Sequence, residues 1–200
     1  MGYLSRFDIG ELIKVFNLEY FIETGLGEGK GLYYALYFPF KEYHSIEISQ
    51  EMFDQGIKKF SNFKKENIKL HLGTTRDILP LILNLEGNIL FWMDAHLPDW
   101  LWGKSFSHLD KDLKLPLEEE LKIISKSRPN NKDVFLCDDL RIYEDGPFEA
   151  GNWAGRLSYD NAAGGTKFIY DLFSETHIIE KDYKHEGYIT LLPRGVKNDS

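Results

Sequence analysis

Apolar and polar positions along the first 140 residues follow two periods that take turns. Short runs rich in β-branched and aromatic residues read as strands: YFIET (20–24), YHSIEIS (43–49), NIKLHLG (67–73), NILFWMDAH (88–96) and DVFLCDD (133–139). Segments with helical spacing separate them: GLYYALYF (31–38), QEMFDQGIKKFSNF (50–63) with Ser49 placed to cap it, TTRDILPLILNL (74–85) with a kink expected at Pro80, and PLEEELKIISKS (116–127). Pro116 at the start of the last of these and glutamates in its first turn are what a helix N-terminus prefers. After residue 144 the periodicity lapses over EDGPFEAGNWAGRLSYDNAAGGT, and then one helix, KFIYDLFSET (167–176), precedes two β-rich runs, HIIEKDY (177–183) and GYITLLP (187–193). The link between those runs is of hairpin length. Alternating strands and helices predict a mostly parallel sheet with helices on both faces, and the terminal hairpin adds antiparallel strands to it.

Length and composition narrow the classes. Two hundred residues, 42% hydrophobic and 14% aromatic, suffice for one domain spanning 1–200. No stretch of about eighteen apolar residues offers a membrane span. Asp8 and Glu11 break up the apolar pattern near the start, so 1–17 reads as an amphipathic N-terminal helix and not a signal peptide. The single cysteine, Cys137, excludes an intramolecular disulfide framework and fits a reducing, cytoplasmic setting. A net charge of -8 without a basic stripe argues against nucleic acid and for a small or neutral substrate. A homodimer is compatible with this composition. The tail RGVKNDS (194–200) reads as disordered.

Candidate chemistry sits at the strand ends. In a parallel sheet, ligands bind outside the C-terminal ends of the strands, where Glu23, Glu47, Asp94, Asp138 and Asp139 all fall. The glycines of FIETGLGEGKGLYYAL fail the dinucleotide spacing from every starting glycine. They also fail the phosphate-loop pattern, because Gly31 follows Gly29-Lys30 and Thr24 stands where the first glycine belongs. What fits is Glu-x-Gly-x-Gly-x-Gly, Glu23 through Gly29. With Glu47 in SIEIS and the strand order, this resembles the class I S-adenosylmethionine-dependent methyltransferases over roughly residues 18–193.

The resemblance implies a Rossmann-like seven-stranded sheet and S-adenosylmethionine as cofactor. Glu23, Thr24, Gly25, Gly27 and Gly29 would form the loop beside its methionine portion, and Asp94 would stand close by. Glu47 and Ile48 would take the ribose side, and Thr74 and Thr75 the adenine. The triplet Gly73-Thr74-Thr75 departs from the acid that relatives carry there, and a helix N-cap is an equal alternative reading. Asp94, Asp138 and Asp139 resemble the acidic triad of metal-dependent O-methyltransferases acting on sugars or catechol-like diols. That implies Mg2+, or else calcium or manganese, held by oxygen ligands. His96 is then a general base or further ligand, against the plainer reading of a surface histidine. Arg141 is an ion-pair partner of the aspartates or a substrate contact. The stretches FIETG, SIEIS, LFWMDAH, PLEEEL and CDDLRIY also resemble a set of bacterial methyltransferase-like proteins, and that resemblance implies a carbohydrate or glycolipid precursor as acceptor. The loops 97–116, with Trp100 and Trp102, and 144–166, with Trp153 and Tyr159, are expected to cover the substrate. Two rival readings share the fold: a cofactor-binding module without turnover, and an enzyme that does not methylate.

Overall fold

The structure is a computed structural model that describes residues 3–63, 67–96, 100–101, 104–105, 111–130, 132–155 and 160–195. Seven strands form one sheet: β1 (Leu18–Thr24), β2 (Glu42–Glu47), β3 (Ile68–Leu72), β4 (Asn88–Met93), β5 (Val134–Asp138), β6 (His177–Asp182) and β7 (Tyr188–Pro193). Their spatial order is β3-β2-β1-β4-β5-β7-β6. The first five run parallel, and β7 lies antiparallel between β5 and β6. The expected architecture, a parallel sheet closed by an antiparallel hairpin, is the one observed.

Burial follows position in the sheet. The five residues of β5 are all buried, as are five of the six in β4, so these central strands are apolar on both faces. The edge strand β6 alternates between covered and exposed positions, and β3 has no fully buried residue. One face packs Ile22, Ile46, Phe91, Phe135 and Leu191 beneath α4 (Thr75–Ile82), α5 (Leu117–Ser127) and α6 (Lys167–Phe173). The other packs Phe21, Tyr43, Trp92, Leu136 and Tyr188 against α1 (Ile9–Phe16), α2 (Lys30–Ala35) and α3 (Gln50–Phe60). Ser49 caps α3 as expected. Pro80 lies inside α4, near its C-terminal end.

The N-terminus departs from one helix over 1–17. Residues Leu4–Arg6 form a 3-10 turn, and α1 begins only at Ile9, because Asp8 leaves helical geometry and accepts the Glu11 amide at 2.9 Å. The freed segment is anchored by Arg6, whose guanidinium carbon lies 4.9 Å from the centre of the Tyr188 ring. Of the tail 194–200 expected to be disordered, Arg194 and Gly195 form a turn, with the Arg194 amide donating to the Thr176 carbonyl at 2.9 Å, and 196–200 lie outside the described residues.

At the N-terminal edge of the sheet one buried ion pair ties three segments together. Arg128 binds both oxygens of Asp133, at 2.7 and 3.0 Å, and donates to the carbonyls of Leu83, Leu85 and Gly87. Asp133 also accepts the Ile89 amide. Asp133→Asn leaves a buried guanidinium without its charge partner, a change that costs about 3–5 kcal/mol. Urea unfolding of the variant is expected to show that loss with an unchanged m-value.

Candidate active site

The turn between β1 and α2 is shaped from inside the protein. Gly25, Gly27 and Gly29 have φ of 83°, 51° and 68°, the left-handed region that favours glycine. A Cβ on Gly25 would lie 2.5 Å from the Asp94 carbonyl oxygen, and one on Gly29 would lie 2.8 Å from the Phe60 ring. At Gly31 it would meet Glu23 Oε1 at 2.1 Å. Three of the four glycines therefore answer to the chain's own packing. Gly25 and Leu26 donate their amides to the Ile46 carbonyl, and Asp94 donates to Thr24, so the turn sits over the ends of β2 and β4.

Glu23 acts here as an internal brace. It is buried, Oε1 accepts the Leu32 amide at 3.0 Å, and Oε2 accepts the Ser45 hydroxyl. Burial raises its pKa to about 8, with only partial relief from those two bonds. Glu47 is also buried, and its oxygens accept the Gly27 amide at 2.9 Å and the Ser49 amide at 2.8 Å. Burial raises the Glu47 pKa despite these bonds.

A cavity of about 720 Å³ opens above these residues, within the size range of cofactor sites. Glu23, Gly25, Gly27 and Glu47 form part of its wall, and Ile48, Thr74, Thr75 and Asp94 continue it. Thr24 and Gly29 do not line it. Thr24 instead lies buried with its hydroxyl 3.5 Å from Glu120 Oε2. Thr74 accepts the Asp77 amide and donates to the Asp77 carboxylate at 2.6 Å, so the N-cap reading of Gly73-Thr74-Thr75 describes what its hydroxyl does.

The acids after β4 and β5 meet around His96. His96 Nε2 lies 2.6 Å from Asp139 Oδ2, and Nδ1 lies 3.4 Å from Asp94 Oδ1. One ligand atom from each of Asp94, His96 and Asp139 falls within 4.8 Å of the others. Burial disfavours the imidazolium, but Asp139, Asp94 and Asp138 outweigh it and carry the His96 pKa up to about 10. Burial would raise Asp139 as well, yet His96 and then Arg141 hold it below the ordinary carboxylate value. Arg141 Nε stands 3.5 Å from Asp139 Oδ1, and the guanidinium is shared with Glu186 at 3.9 Å.

Asp138 stands apart from the expected triad. It is the last residue of β5, while Asp139 turns into the left-handed region at φ 56°, so the two side chains diverge. Asp138 is buried and neither of its carboxylate oxygens meets a hydrogen-bond donor in good geometry. Burial first, and Asp139 second, raise its pKa to about 6.

Glu120 is the residue that sequence reasoning missed. It is 1% exposed, its Oε1 has no hydrogen-bond partner, and burial raises its pKa to about 7. The run of glutamates in PLEEEL reads as an N-terminal turn favourable to acids. However, Glu120 shares a helix face with the buried Leu117, Leu121 and Ile124, and that spacing was the available signal. Tyr3, Leu4 and Ser5 also line the cavity, because the N-terminal turn folds over it.

The two expected covering loops differ. Leu113, Leu115 and Pro116 of the first line the cavity. The Trp100 side chain and all of Trp102 lie outside the described residues, as does Tyr159. The described part of 144–166 does not line the cavity. Glu144 is held by Lys181 and Tyr183 at 2.5 and 2.6 Å, and Phe148 packs on Tyr183, which ties this segment to the β6–β7 hairpin.

No protein-family profile and no curated protein matches this sequence. Solved structures do match in three dimensions. A Staphylococcus aureus protein described as a candidate caffeoyl-CoA O-methyltransferase superposes with a TM-score of 0.61 at 13% identity, covering 96% of this chain and 84% of that one. The O-methyltransferase TomG of Streptomyces achromogenes, solved with S-adenosylmethionine, gives 0.59 at 13% identity over 92% of this chain and 77% of its own. An rRNA methylase from Streptococcus thermophilus gives 0.57 at 10% identity over 96% and 97%.

The fold is that of the class I S-adenosylmethionine-dependent methyltransferases.

Within that methyltransferase fold the neighbours act on different acceptors, rRNA among them, so the fold itself does not exclude nucleic acid. No helix among the described residues is long and apolar enough to cross a membrane.

The Glu23 brace has a pH signature. Its folded pKa lies above the ordinary 4.5, so the stability it permits is complete below that value and is lost as pH rises through about 8. Each such group contributes a slope of at most about 1.4 kcal/mol per pH unit. Glu23→Gln, which keeps an acceptor for Leu32 and a polar partner for Ser45, is expected to flatten the fall in thermal midpoint of the cofactor-free protein between pH 5 and 8. A profile identical to wild type would contradict the brace.

Proposed function

We propose that this chain is an S-adenosylmethionine-dependent methyltransferase that methylates a hydroxyl of a small molecule or carbohydrate precursor, assisted by a divalent cation. The observation that carries this reading is a single cavity with Glu47 in one part of its wall and the Asp94–His96–Asp139 group in another. The cofactor fits what is present. Gly25 and Gly27 put backbone in the cavity wall, and the Glu47 carboxylate, fixed by two amides, keeps lone pairs for the ribose hydroxyls. Ile48 and Leu115 offer apolar surface in the same cavity, suited to a base.

The cation fits too. Two carboxylates and an imidazole within 4.8 Å, one of the carboxylates with an oxygen lacking a hydrogen bond, would form a mixed oxygen–nitrogen donor set for a divalent cation once His96, whose pKa stands near 10, gives up its proton. When bound, the cation supplies positive charge that lowers the pKa of an acceptor hydroxyl. The protein's own residues do the rest. Asp94, His96 and Asp139 would hold that charge, and His96 first and Arg141 second keep Asp139 ionised. Tyr3, Tyr33 and Tyr34 in the cavity wall favour a ring-bearing acceptor that stacks. The lone cysteine is buried, which suits a cytoplasmic protein.

Calorimetry tests the shared premise, because absence of S-adenosylhomocysteine binding at millimolar concentration would overturn it. Glu47→Ala is expected to weaken that binding roughly ten- to a hundredfold, the value of a charged hydrogen-bond pair. Asp94→Asn with Asp139→Asn should bind S-adenosylhomocysteine within a fewfold of wild type. The same double variant should lose methyl transfer to a panel of catechols and sugar diols, measured as S-adenosylhomocysteine formed. A module without turnover would show no transfer by either protein.

A further inference from the structure

Tyr3, Leu4 and Ser5 stand in the cavity wall, and the next two residues, Arg6 and Phe7, do not line it. Those two fasten the segment instead. The Arg6 guanidinium lies over the Tyr188 ring and reaches Asp182 Oδ2 at 3.6 Å. Phe7 packs edge-to-face with Tyr188 and Trp92, the ring centres 5.4 and 6.3 Å away. The Tyr3 amide donates to the Tyr188 hydroxyl at 3.3 Å, and Leu4 is buried. The polar part of this fastening is weak. Asp182 is exposed, so its ion pair contributes little, and Arg6 Nη1 meets no acceptor among the described residues. Segments held this way open locally at low free energy, so a ligand that rests on the wall changes how often it is closed.

Strand order narrows which ligand that is. Glu47 ends β2 and Thr74 follows β3, at one side of the sheet. The anchors of the turn are Trp92 on β4 and Tyr188 on β7, and Tyr188 is the register partner of Asp138, the residue before Asp139. The turn therefore stands on the side of Asp94 and Asp139, with β1 between it and the strand of Glu47. We propose that Tyr3–Ser5 is the wall of the acceptor half of the cavity, and that Arg6 is a positioning residue that latches this wall onto Tyr188. This rests on the methyltransferase reading above. Acceptor and latch are linked reciprocally: an acceptor resting on Tyr3 and Ser5 holds the turn closed, and the closed turn holds the acceptor. The cofactor, taken up at the other side, binds without the latch. Arginine suits the task because its planar guanidinium lies flat on an aromatic face, as an ammonium does not.

Hydrogen–deuterium exchange over residues 3–10 of the full chain reads the latch without turnover. It is measured without ligand, with S-adenosylhomocysteine, and with S-adenosylhomocysteine plus each catechol and sugar diol of the panel. S-adenosylhomocysteine alone is expected to leave the exchange within about twofold, and at least one acceptor to slow it about fivefold or more. Arg6→Ala is expected to raise the KM of that acceptor about tenfold, with kcat and S-adenosylhomocysteine affinity within about twofold of wild type. Arg6→Lys, which keeps the charge and loses the planar face, should fall between the two. Equal slowing by S-adenosylhomocysteine alone, or slowing by no acceptor, overturns the proposal, and so does an unchanged acceptor KM in Arg6→Ala. A cooperative thermal transition shows that this variant is folded; if it does not fold, exchange in the wild type decides alone. Wild type that binds no S-adenosylhomocysteine fails the methyltransferase reading itself, whereas intact binding with an unchanged acceptor KM fails the latch alone.

Discussion

Glu23 ties together three pieces of chain at the edge of the cavity. One oxygen takes the Leu32 amide from α2, the other takes the Ser45 hydroxyl from β2, and the residue itself ends β1. Gly31 must lack a side chain because this carboxyl occupies the space. With α2 drawn in, the intervening turn has to pass through left-handed geometry at Gly25, Gly27 and Gly29, and the path puts the Gly27 amide on Glu47. Burying a carboxyl at this point is unfavourable, as its raised pKa records. The return is a turn whose shape is set before any ligand arrives, which reduces the entropy a ligand must overcome on binding.

The two ends of the sheet handle charge in opposite ways. At the N-terminal edge Arg128 and Asp133 neutralise one another, and the remaining guanidinium protons go to three carbonyls. Nothing there is left to bind. At the C-terminal edge acids outnumber bases, and several carboxylate oxygens have no donor. That imbalance is costly in a buried setting, and the raised pKa values of Asp94, Asp138 and Glu120 show that protonation relieves part of it. Strongly shifted titrations beside a cavity are a common mark of a functional site. The neighbours in three dimensions share the sheet at 10–13% identity and differ in acceptor. Likeness at that level carries the fold and not an acceptor.

The sheet was legible because its signals are local. A run such as NILFWM can only be buried on both faces, and Ser49 and Pro116 mark helix starts by their own chemistry. The strand-end acids were legible for the same reason. The glycine turn was read by composition, and its spacing excluded two ligand classes. Why each glycine is there was not readable, since Gly29 answers to Phe60, thirty-one residues away. The 1–17 helix failed on a local competition, in which Asp8 serves the helix better as a cap than as an interior residue.

What the sequence by itself determined is the alternation of strands and helices, the placing of acids at strand ends, and a glycine pattern unsuited to phosphates. Periodicity, capping and spacing are properties of neighbours along the chain. What only the tertiary structure decided is which acids face which. The left-handed turn at Asp139 sends adjacent aspartates into different spaces, and α5 carries Glu120 to one of them. His96, two residues past Asp94, reaches back to it and across to Asp139. Those partnerships join residues from three separate segments, and no pattern within any one of them encodes the distance between them.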